Sequence, residues 1–152
     1  TLLASPTFAD DIAGTTFTLG TWQGGAAIGP DGAYSHCYAT LRFNNGDQIW
    51  VNVTKAEQIE VIFSFQRLKL TKDQTMEATL MMEVGTPTRG TALALDEKIV
   101  SFGMTPLNDA HAYLSQGHLI RLLGVGNDEA YDVRGLGGAL GLVRSCAEKQ
   151  RG

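Results

Sequence analysis

The stretch AYSHCYATLRFNNGDQIWVNV, residues 33–53, carries the strongest secondary-structure pattern in the chain. Successive side chains of a strand point to opposite faces. One face carries Cys37, Ala39, Leu41 and Phe43, and the other carries His36, Tyr38, Thr40 and Arg42. Asn45–Gly46 favours a tight turn, after which apolar residues alternate again as far as Val53. The pattern predicts a hairpin over about residues 34–54 whose Cys37 face is buried and whose His36 face is exposed.

Similar alternation continues on both sides of two further turns. Residues 59–65 present an apolar row, Lys72–Asp73–Gln74 is a turn signal, and residues 76–84 read as a half-solvated strand. Residues 91–104 predict one or two more strands, with a break near Asp96. A last hairpin is predicted from His118 to Val133 around a turn at residues 126–128.

Two segments have helical spacing, and both come late in the chain. Thr105–Pro106 reads as an N-cap followed by a first-turn proline, and Gly117 reads as the stop. Apolar residues from Leu136 to Ala147 recur at three- and four-residue intervals. We therefore predict a mainly β, α+β fold: an antiparallel sheet or sandwich with the C-terminal helix packed on it.

Length and composition fit a single globular domain. The 152 residues are 43% hydrophobic and 18% charged, and the formal net charge is -4. Lys and Arg are scattered rather than clustered, which argues against nucleic-acid binding. No segment offers the roughly 18 consecutive apolar residues that a membrane helix needs, so we do not expect an integral membrane protein.

The N-terminal residues TLLASPTFA, 1–9, resemble the end of a secretory signal peptide, with small residues at positions 7 and 9. The alternative is an ordinary frayed terminus. Cleavage after Ala9 would leave residues 10–152 as the mature domain, beginning at Asp10. Export would place that domain in an oxidising compartment.

The chain has two cysteines, Cys37 and Cys146, and neither has metal-finger spacing. Cys37 is on the apolar face of a predicted strand, and Cys146 is at the border of the apolar stripe of the last helix. In an exported protein these features predict a disulfide that fastens the helix to the sheet. A bonded cysteine is no nucleophile, and adjacent strand residues face apart, so we do not expect His36 and Cys37 to form a catalytic pair.

Other candidate sites have weaker support. His111 and His118 would need a third ligand such as Asp109 or Glu129 to hold zinc, and their spacing is more typical of surface or helix-end histidines. The glycines of residues 135–141 lack the full dinucleotide and Walker patterns, so close helix packing explains them better. We predict no metal and no cofactor.

The combination of YSHC, residues 34–37, with YDVRGLGGALGLVRSC, residues 131–146, resembles small exported proteins of alphaproteobacteria that are largely uncharacterised. The ending is also similar, more weakly, to invasion-associated locus B proteins, which carry additional cysteines. The resemblance implies a periplasmic or secreted location and a Cys37–Cys146 bridge. It implies no catalytic residues.

Two classes of function remain. The first is a non-enzymatic module that binds a protein or an apolar small molecule in the cell envelope. The aromatic and imidazole side chains to inspect for it are Trp22, Tyr34, His36, Tyr38 and Trp50. The second is a small periplasmic hydrolase that uses His36 or His111 with a carboxylate and Ser35, Ser101 or Ser115, although no GxSxG motif supports it.

Overall fold

Ten strands and two helices make up residues 11–151, the part of the chain that the computed structural model describes. The strands are β1 (Phe17–Leu19), β2 (Trp22–Ile28), β3 (Tyr34–Arg42), β4 (Gln48–Thr54), β5 (Ile59–Ser64), β6 (Thr75–Met82), β7 (Thr88–Ala94), β8 (Ile99–Met104), β9 (Leu119–Leu123) and β10 (Tyr131–Asp132). The helices are α1 (Leu107–Leu114) and α2 (Leu136–Arg151). The predicted class, mainly β with two late helices, is confirmed.

All ten strands belong to one antiparallel sheet in the order β1-β2-β3-β4-β5-β8-β7-β6-β9-β10. The first five strands follow each other in sequence and in space. The chain then crosses to the other half of the sheet, and β8 returns to pair with β5. The two ends of this strand order come close together, since Trp22 Nε1 at the start of β2 donates a 2.9 Å hydrogen bond to the carbonyl of Arg134, just after β10.

The inner face of the sheet and the apolar side of α2 enclose the core. The Cys37 row of β3 pairs with the Val53 row of β4, and both are buried as their alternation predicts. Helix α2 packs on β2, β3 and β4 through five buried residues: Leu136, Ala139, Leu140, Val143 and Ala147. Helix α1 lies between α2 and β5.

A disulfide joins Cys37 to Cys146, with 6.1 Å between their Cα atoms. It links the middle of β3 to the last turns of α2, across 109 positions in the sequence. The predicted bridge is therefore present. Because both sulfurs are bonded, neither cysteine is available as a nucleophile in this state.

Two local predictions need correction. The turn at residues 43–47 is a three-residue loop rather than a two-residue one: Phe43 N–H donates to Asp47 O, and only Gly46 has a positive φ, of 92°. Helix α1 begins one residue later than predicted, because Pro106 is extended and occupies the N-cap, with ψ 163° and no side-chain capping bond. The peptide bond between Thr105 and Pro106 is cis.

The predicted cleavage site and the start of the mature chain at Asp10 lie outside the described residues. Residues 11–151 contain no helix that combines the length and the apolar character needed to cross a bilayer.

Candidate functional site

A group of polar side chains lies on the outer face of the sheet, opposite the core. It occupies the centre, where β4, β5 and β8 are neighbours. Asn52 on β4 is directly opposite Glu60 on β5, and Glu60 is opposite Gly103 on β8. Alternation places all three on the face away from Val51, Val61 and Phe102, which are in the core.

Glu60 is the centre of this polar cluster. Its two carboxylate oxygens accept hydrogen bonds from Asn52 Nδ2 at 3.2 Å and from Ser101 Oγ at 3.0 Å. Both donors are neutral, and no Lys or Arg of the described residues is within ion-pair distance of Glu60. Within the described part of the chain, Glu60 therefore receives hydrogen bonds from neutral side chains.

Only one of the two polar atoms of the Asn52 side chain has a hydrogen-bond partner among residues 11–151. Its Nδ2 donates to Glu60, whereas its Oδ1 has no hydrogen-bond partner among residues 11–151, although the residue is only 1% exposed. A buried acceptor without a partner costs about 1–3 kcal/mol, and such groups in native structures often mark the place of a water, an ion or a ligand.

His36 lies one pair further along the face, opposite Thr54. Its Nδ1 is 2.9 Å from Ser35 Oγ. Burial lowers the pKa of the imidazole below 6.5, while the nearby charges of Glu60 and Asp11 oppose that shift. The lowered pKa favours the neutral ring at pH 7.

The prediction that His36 is exposed is wrong, because only 5% of the residue is accessible. Cys37 and His36 do face opposite sides of β3, so the alternation itself holds. The outer face is not a flat solvated surface at this point, since Ala27 on β2 is fully buried beside His36 and the Tyr38 ring approaches the imidazole edge-on, with 6.3 Å between centroids. The alternation of side chains along β3 shows which residues share a face of the strand, but it does not show whether other parts of the protein bury that face.

An open cleft of about 610 Å3 borders His36 and Glu60. Two turns form its sides, the β2–β3 turn with Asp31 and the β4–β5 turn with Lys55. The other described residues of the lining are Gly29, Pro30, Tyr34, Ser35, Thr54 and Ala56. We call this space the outer cleft. Most of its accessible lining is apolar, with the charged residues Asp31, Lys55 and Glu60 among its described residues.

The five side chains inspected for surface binding do not all reach a surface. Trp22, which we considered both as a surface-binding residue and as a buried core residue, is 1% exposed and lies in the core. It belongs to the same core cluster as Leu41 and Leu136. Trp50 faces outward beside Ile62 but is only 8% exposed.

Tyr34 and Tyr38 are half-buried. Tyr34 lines the outer cleft, and its hydroxyl is 3.7 Å from Cys37 Sγ. Tyr38 donates its hydroxyl proton to Asp11 at 2.8 Å, and burial together with that bond raises the pKa of Tyr38 well above 10. Of the five predicted residues, Tyr34 and His36 thus line the cleft itself.

The residues proposed for a hydrolase are only partly brought together. Ser35, His36, Glu60 and Ser101 share one region, but Ser101 donates its proton to Glu60 and not to an imidazole. His111 and Ser115 lie on the other side of the sheet, on α1 and at its end. Ser115 Oγ donates to the carbonyl of His111. The hydrogen bonds found among residues 11–151 do not link these serines, histidines and Glu60 into a series of the catalytic-triad type.

His111 joins the two helices. Its Nε2 is 3.2 Å from the carbonyl of Gly137, and its Nδ1 is 3.0 Å from Arg144 Nη1. Since Arg144 can only donate, Nδ1 accepts and Nε2 carries the proton that bonds Gly137. His118 is exposed, and its backbone N–H donates to Glu83. Residues 11–151 hold no group of three His, Cys, Asp or Glu side chains arranged to bind a metal.

The glycines at the start of α2 allow close packing. A Cβ at Gly137 would lie 2.9 Å from Ser115 Oγ, and one at Gly138 would lie 3.0 Å from the Leu19 side chain. These contacts leave little room for a phosphate at that helix end.

Asn52 and Glu60 were not among the candidates from the sequence. The available signal was a polar residue at an outward position between two apolar neighbours, Asn52 in QIWVNVT and Glu60 in IEVIFS. Only the strand register shows that the two face each other.

The geometry can be compared with known proteins. No protein family model matches the chain, and no curated protein matches it in sequence. The crystal structure of invasion associated protein B from Bartonella henselae superposes with a TM-score of 0.61 over 88% of this chain and 97% of that chain, at 12% identity. The two chains share a fold. This structural similarity agrees with the weaker of the two sequence resemblances, and at 12% identity it concerns the fold alone.

Proposed function

We propose that this chain is an exported protein of the bacterial cell envelope that binds a partner protein through the outer cleft. The observation that carries the proposal is the polar cluster of Glu60, Asn52 and Ser101 in the outer face of the sheet, in which Glu60 also borders an open cleft. Most outward polar groups are solvated, whereas Asn52 is buried with an acceptor that the described residues leave without a partner. Such a group is expected where another molecule completes the hydrogen bonding.

Export is supported by the disulfide between Cys37 and Cys146, because disulfides persist mainly in oxidising compartments. The fold shared with invasion associated protein B and the character of residues 1–9 support the same location. A periplasmic or secreted protein whose cysteines are all paired is consistent with the two resemblances found in the sequence.

The open shape of the cleft and its three charged residues favour a protein partner over an enclosed apolar small molecule. Small apolar ligands are usually enclosed by hydrophobic walls with few polar groups. Here Asp31, Lys55 and Glu60 all contribute to the lining, and the cleft is open to solvent. Protein interfaces accommodate such groups at a polar rim.

Site-specific photocrosslinking in the source bacterium tests this proposal. A photoreactive amino acid replaces Lys55, which is exposed beside the cleft, or Lys72, which is exposed in the β5–β6 connection. We expect a discrete protein adduct from position 55 in the envelope fraction and none from position 72. No adduct at 55, the same adduct from both positions, or a protein confined to the cytoplasm with reduced cysteines would overturn the proposal.

A hydrolase is the second candidate, and the Ser35–His36 contact of 2.9 Å is the observation that favours it. A fluorophosphonate probe labels serines that a neighbouring base activates. Labelling of the wild type that is lost in Ser35→Ala would support hydrolysis. Absence of labelling under conditions that label a known serine hydrolase would remove this candidate.

A further inference from the structure

Three buried apolar residues on the sheet do not belong to its core. Ala27 on β2, Trp50 on β4 and Ile62 on β5 are 0%, 8% and 1% exposed, yet all three lie outside the core cluster of buried residues. They face outward, because an adjacent residue in each of these strands belongs to that cluster. We call these three residues the apolar outer patch.

Outward positions in the other half of the sheet are accessible to water. Glu77 on β6, Thr91 on β7 and Arg121 on β9 also face outward, and all three are exposed. A sheet face with nothing packed on it leaves such positions solvated. The low exposure of Trp50 and Ile62 therefore indicates that another part of the chain lies over this half of the outer face.

The described helices and long connections are occupied on other surfaces. Both helices pack on the inner side, since their buried residues belong to the core cluster, and the β5–β6 connection buries Phe65 and Leu68 in that same cluster. The turns around the outer cleft reach Thr54, whereas Trp50 lies four residues further along β4, about 13 Å away. The residues that precede Asp11 are left as the source of the cover.

Asp11, where the described chain begins, lies beside the outer face. It pairs with Ala27 at one side of β2, and its two carboxylate oxygens accept hydrogen bonds of 2.8 and 3.0 Å from Tyr38 Oη. Tyr38 shares the outward face of β3 with His36. The preceding residues therefore join the described chain on the same side of the sheet as the apolar outer patch.

The segment of residues 1–10 is long enough to reach the patch. With strands about 4.8 Å apart, Trp50 is three strand spacings and four residues from Asp11, a diagonal of about 19 Å. Ten extended residues span about 33 Å. Residues 1–9 carry no charged side chain, which suits an apolar surface. Their large apolar side chains are Leu2, Leu3 and Phe8.

We propose that residues 1–10 lie across the outer face of β3, β4 and β5 and cover the apolar outer patch, with Phe8 packed beside Trp50. The folded protein then keeps residues 1–9 as an ordinary terminus rather than losing them by cleavage after Ala9. Export is in that case supported by the disulfide and the shared fold. A partner protein is limited to the outer cleft, because the neighbouring patch is already occupied.

Nuclear Overhauser contacts in the full chain test this proposal. We expect contacts from the Phe8 ring to the Trp50 indole and to the Ile62 methyl groups. An equal mixture of two differently labelled samples separates contacts within one chain from contacts between two copies. Absence of contacts between residues 1–10 and the patch, or contacts that arise only between copies, would overturn the proposal.

The exposure of the Trp50 ring provides a second, independent measurement. In protein labelled with fluorinated tryptophan, the solvent isotope shift of each fluorine resonance reports exposure to water, and buried Trp22 is the internal reference. Phe8→Ser should increase the shift of Trp50 and leave that of Trp22 unchanged. Thr7→Ser is the matched control, since adjacent side chains of an extended segment face apart, and it should change neither shift.

Two results of these experiments would contradict the cover. One is a Trp50 shift in Phe8→Ser equal to that of the wild type, and the other is a native mature protein that begins at Asp10. Neither result depends on the crosslink from position 55, which reports the partner protein at the outer cleft.

Discussion

At the scale of single residues, His36 shows how burial on an outward face affects stability. The folded-state pKa of His36 lies below 6.5, so the unfolded chain binds a proton more readily at mildly acidic pH. Stability rises with pH wherever the unfolded state binds more protons. The contribution of neutral His36 is therefore complete above pH 6.5, falls as the pH drops towards the folded-state pKa, and changes no further below that value.

We expect the wild type to lose more unfolding free energy between pH 7.5 and pH 5 than the His36→Gln variant, which has no imidazole to protonate. Urea denaturation at the two pH values measures this difference. Equal losses in the two proteins would mean that protonation of His36 is not linked to unfolding. At pH 7.5 the substitution should also cost about 1 kcal/mol or more, in the range of partly buried sites rather than exposed ones.

At the scale of elements, two hairpin loops have the same pattern of backbone hydrogen bonds but different residues at the position with a positive φ. In the β3–β4 loop, Phe43 N–H donates to Asp47 O and Gly46 N–H to Phe43 O. In the β4–β5 loop, Thr54 N–H donates to Gln58 O and Glu57 N–H to Thr54 O. Gly46 has φ 92° and Glu57 has φ 59°, so both occupy the left-handed region.

At both loop positions, glycine should give a free energy of unfolding about 1 kcal/mol higher than alanine does, because a Cβ is disfavoured in the left-handed region. Gly46→Ala should destabilise the protein, and its new Cβ would also lie 3.3 Å from Gln66 Cγ. Glu57→Gly should be more stable than Glu57→Ala, where both variants lose the exposed contact with Arg151. Chemical denaturation of the four proteins checks this, and alanine equal to glycine at position 57 would contradict it.

The bridge between β3 and α2 is expected to act mainly on the unfolded chain. Closing a loop of 109 residues is worth about 4–5 kcal/mol in the chain-entropy model. Replacing Cys37 and Cys146 by serine should therefore lower Tm by roughly 8–20 °C for a chain of this size. The far-UV circular dichroism spectrum at low temperature should be nearly unchanged, since the buried rows of β3 and β4 do not depend on the sulfurs.

Ser145→Ala, next to Cys146, serves as the control and should keep the wild-type Tm. A double serine variant with wild-type Tm would contradict the chain-entropy account. Loss of the sheet spectrum at low temperature would show that the bridge is needed for the fold itself.

At the scale of the whole molecule, a buried carboxylate connects parts that are far apart in the sequence. Asp47, in the β3–β4 loop, accepts hydrogen bonds from Tyr131 Oη at 2.6 Å, from Gln66 N at 2.8 Å and from Asn45 Nδ2 at 3.0 Å. Burial and the bond to Asp47 raise the pKa of Tyr131 well above 10. The Tyr131 ring also packs on Phe43 and Phe65.

Tyr131→Phe keeps the ring contacts and removes the hydroxyl, so it should cost about 1.5–3 kcal/mol, the usual value of a hydrogen bond to a charged group. Tyr38→Phe removes a hydroxyl that bonds Asp11 at an exposed site and should cost under about 1 kcal/mol. Urea denaturation compares the two. If Tyr38→Phe lowered the free energy of unfolding more than Tyr131→Phe does, the hydrogen bond between Tyr131 and Asp47 would not be a main connection between the distant segments that it joins.

The sequence was informative wherever a pattern is local. Alternation in residues 34–54 predicted the buried row through Cys37, and helical spacing predicted the stripe of α2. The candidate site depends on contacts that no local pattern contains. Asn52 and Glu60 are brought together by strand register, Ser101 by the return of β8 to β5, and Asp47 meets Tyr131 across 84 positions. Trp22 was a candidate for surface binding but lies in the core, where its Nε1 donates to the carbonyl of Arg134, 112 positions away.

The position of α2 at the end of the described chain has a consequence for biosynthesis. Strands β1 to β5 pair in sequence order, so they can assemble while the rest of the chain is still being synthesised. The apolar side of that sheet, however, stays exposed to water until Leu136 and the residues after it have been made. A chain that ends at residue 135 would keep ten strands and lack the inner wall of its core. We expect such a product to aggregate or to be held by chaperones and degraded, so a late stop codon should be as damaging to this protein as an early one.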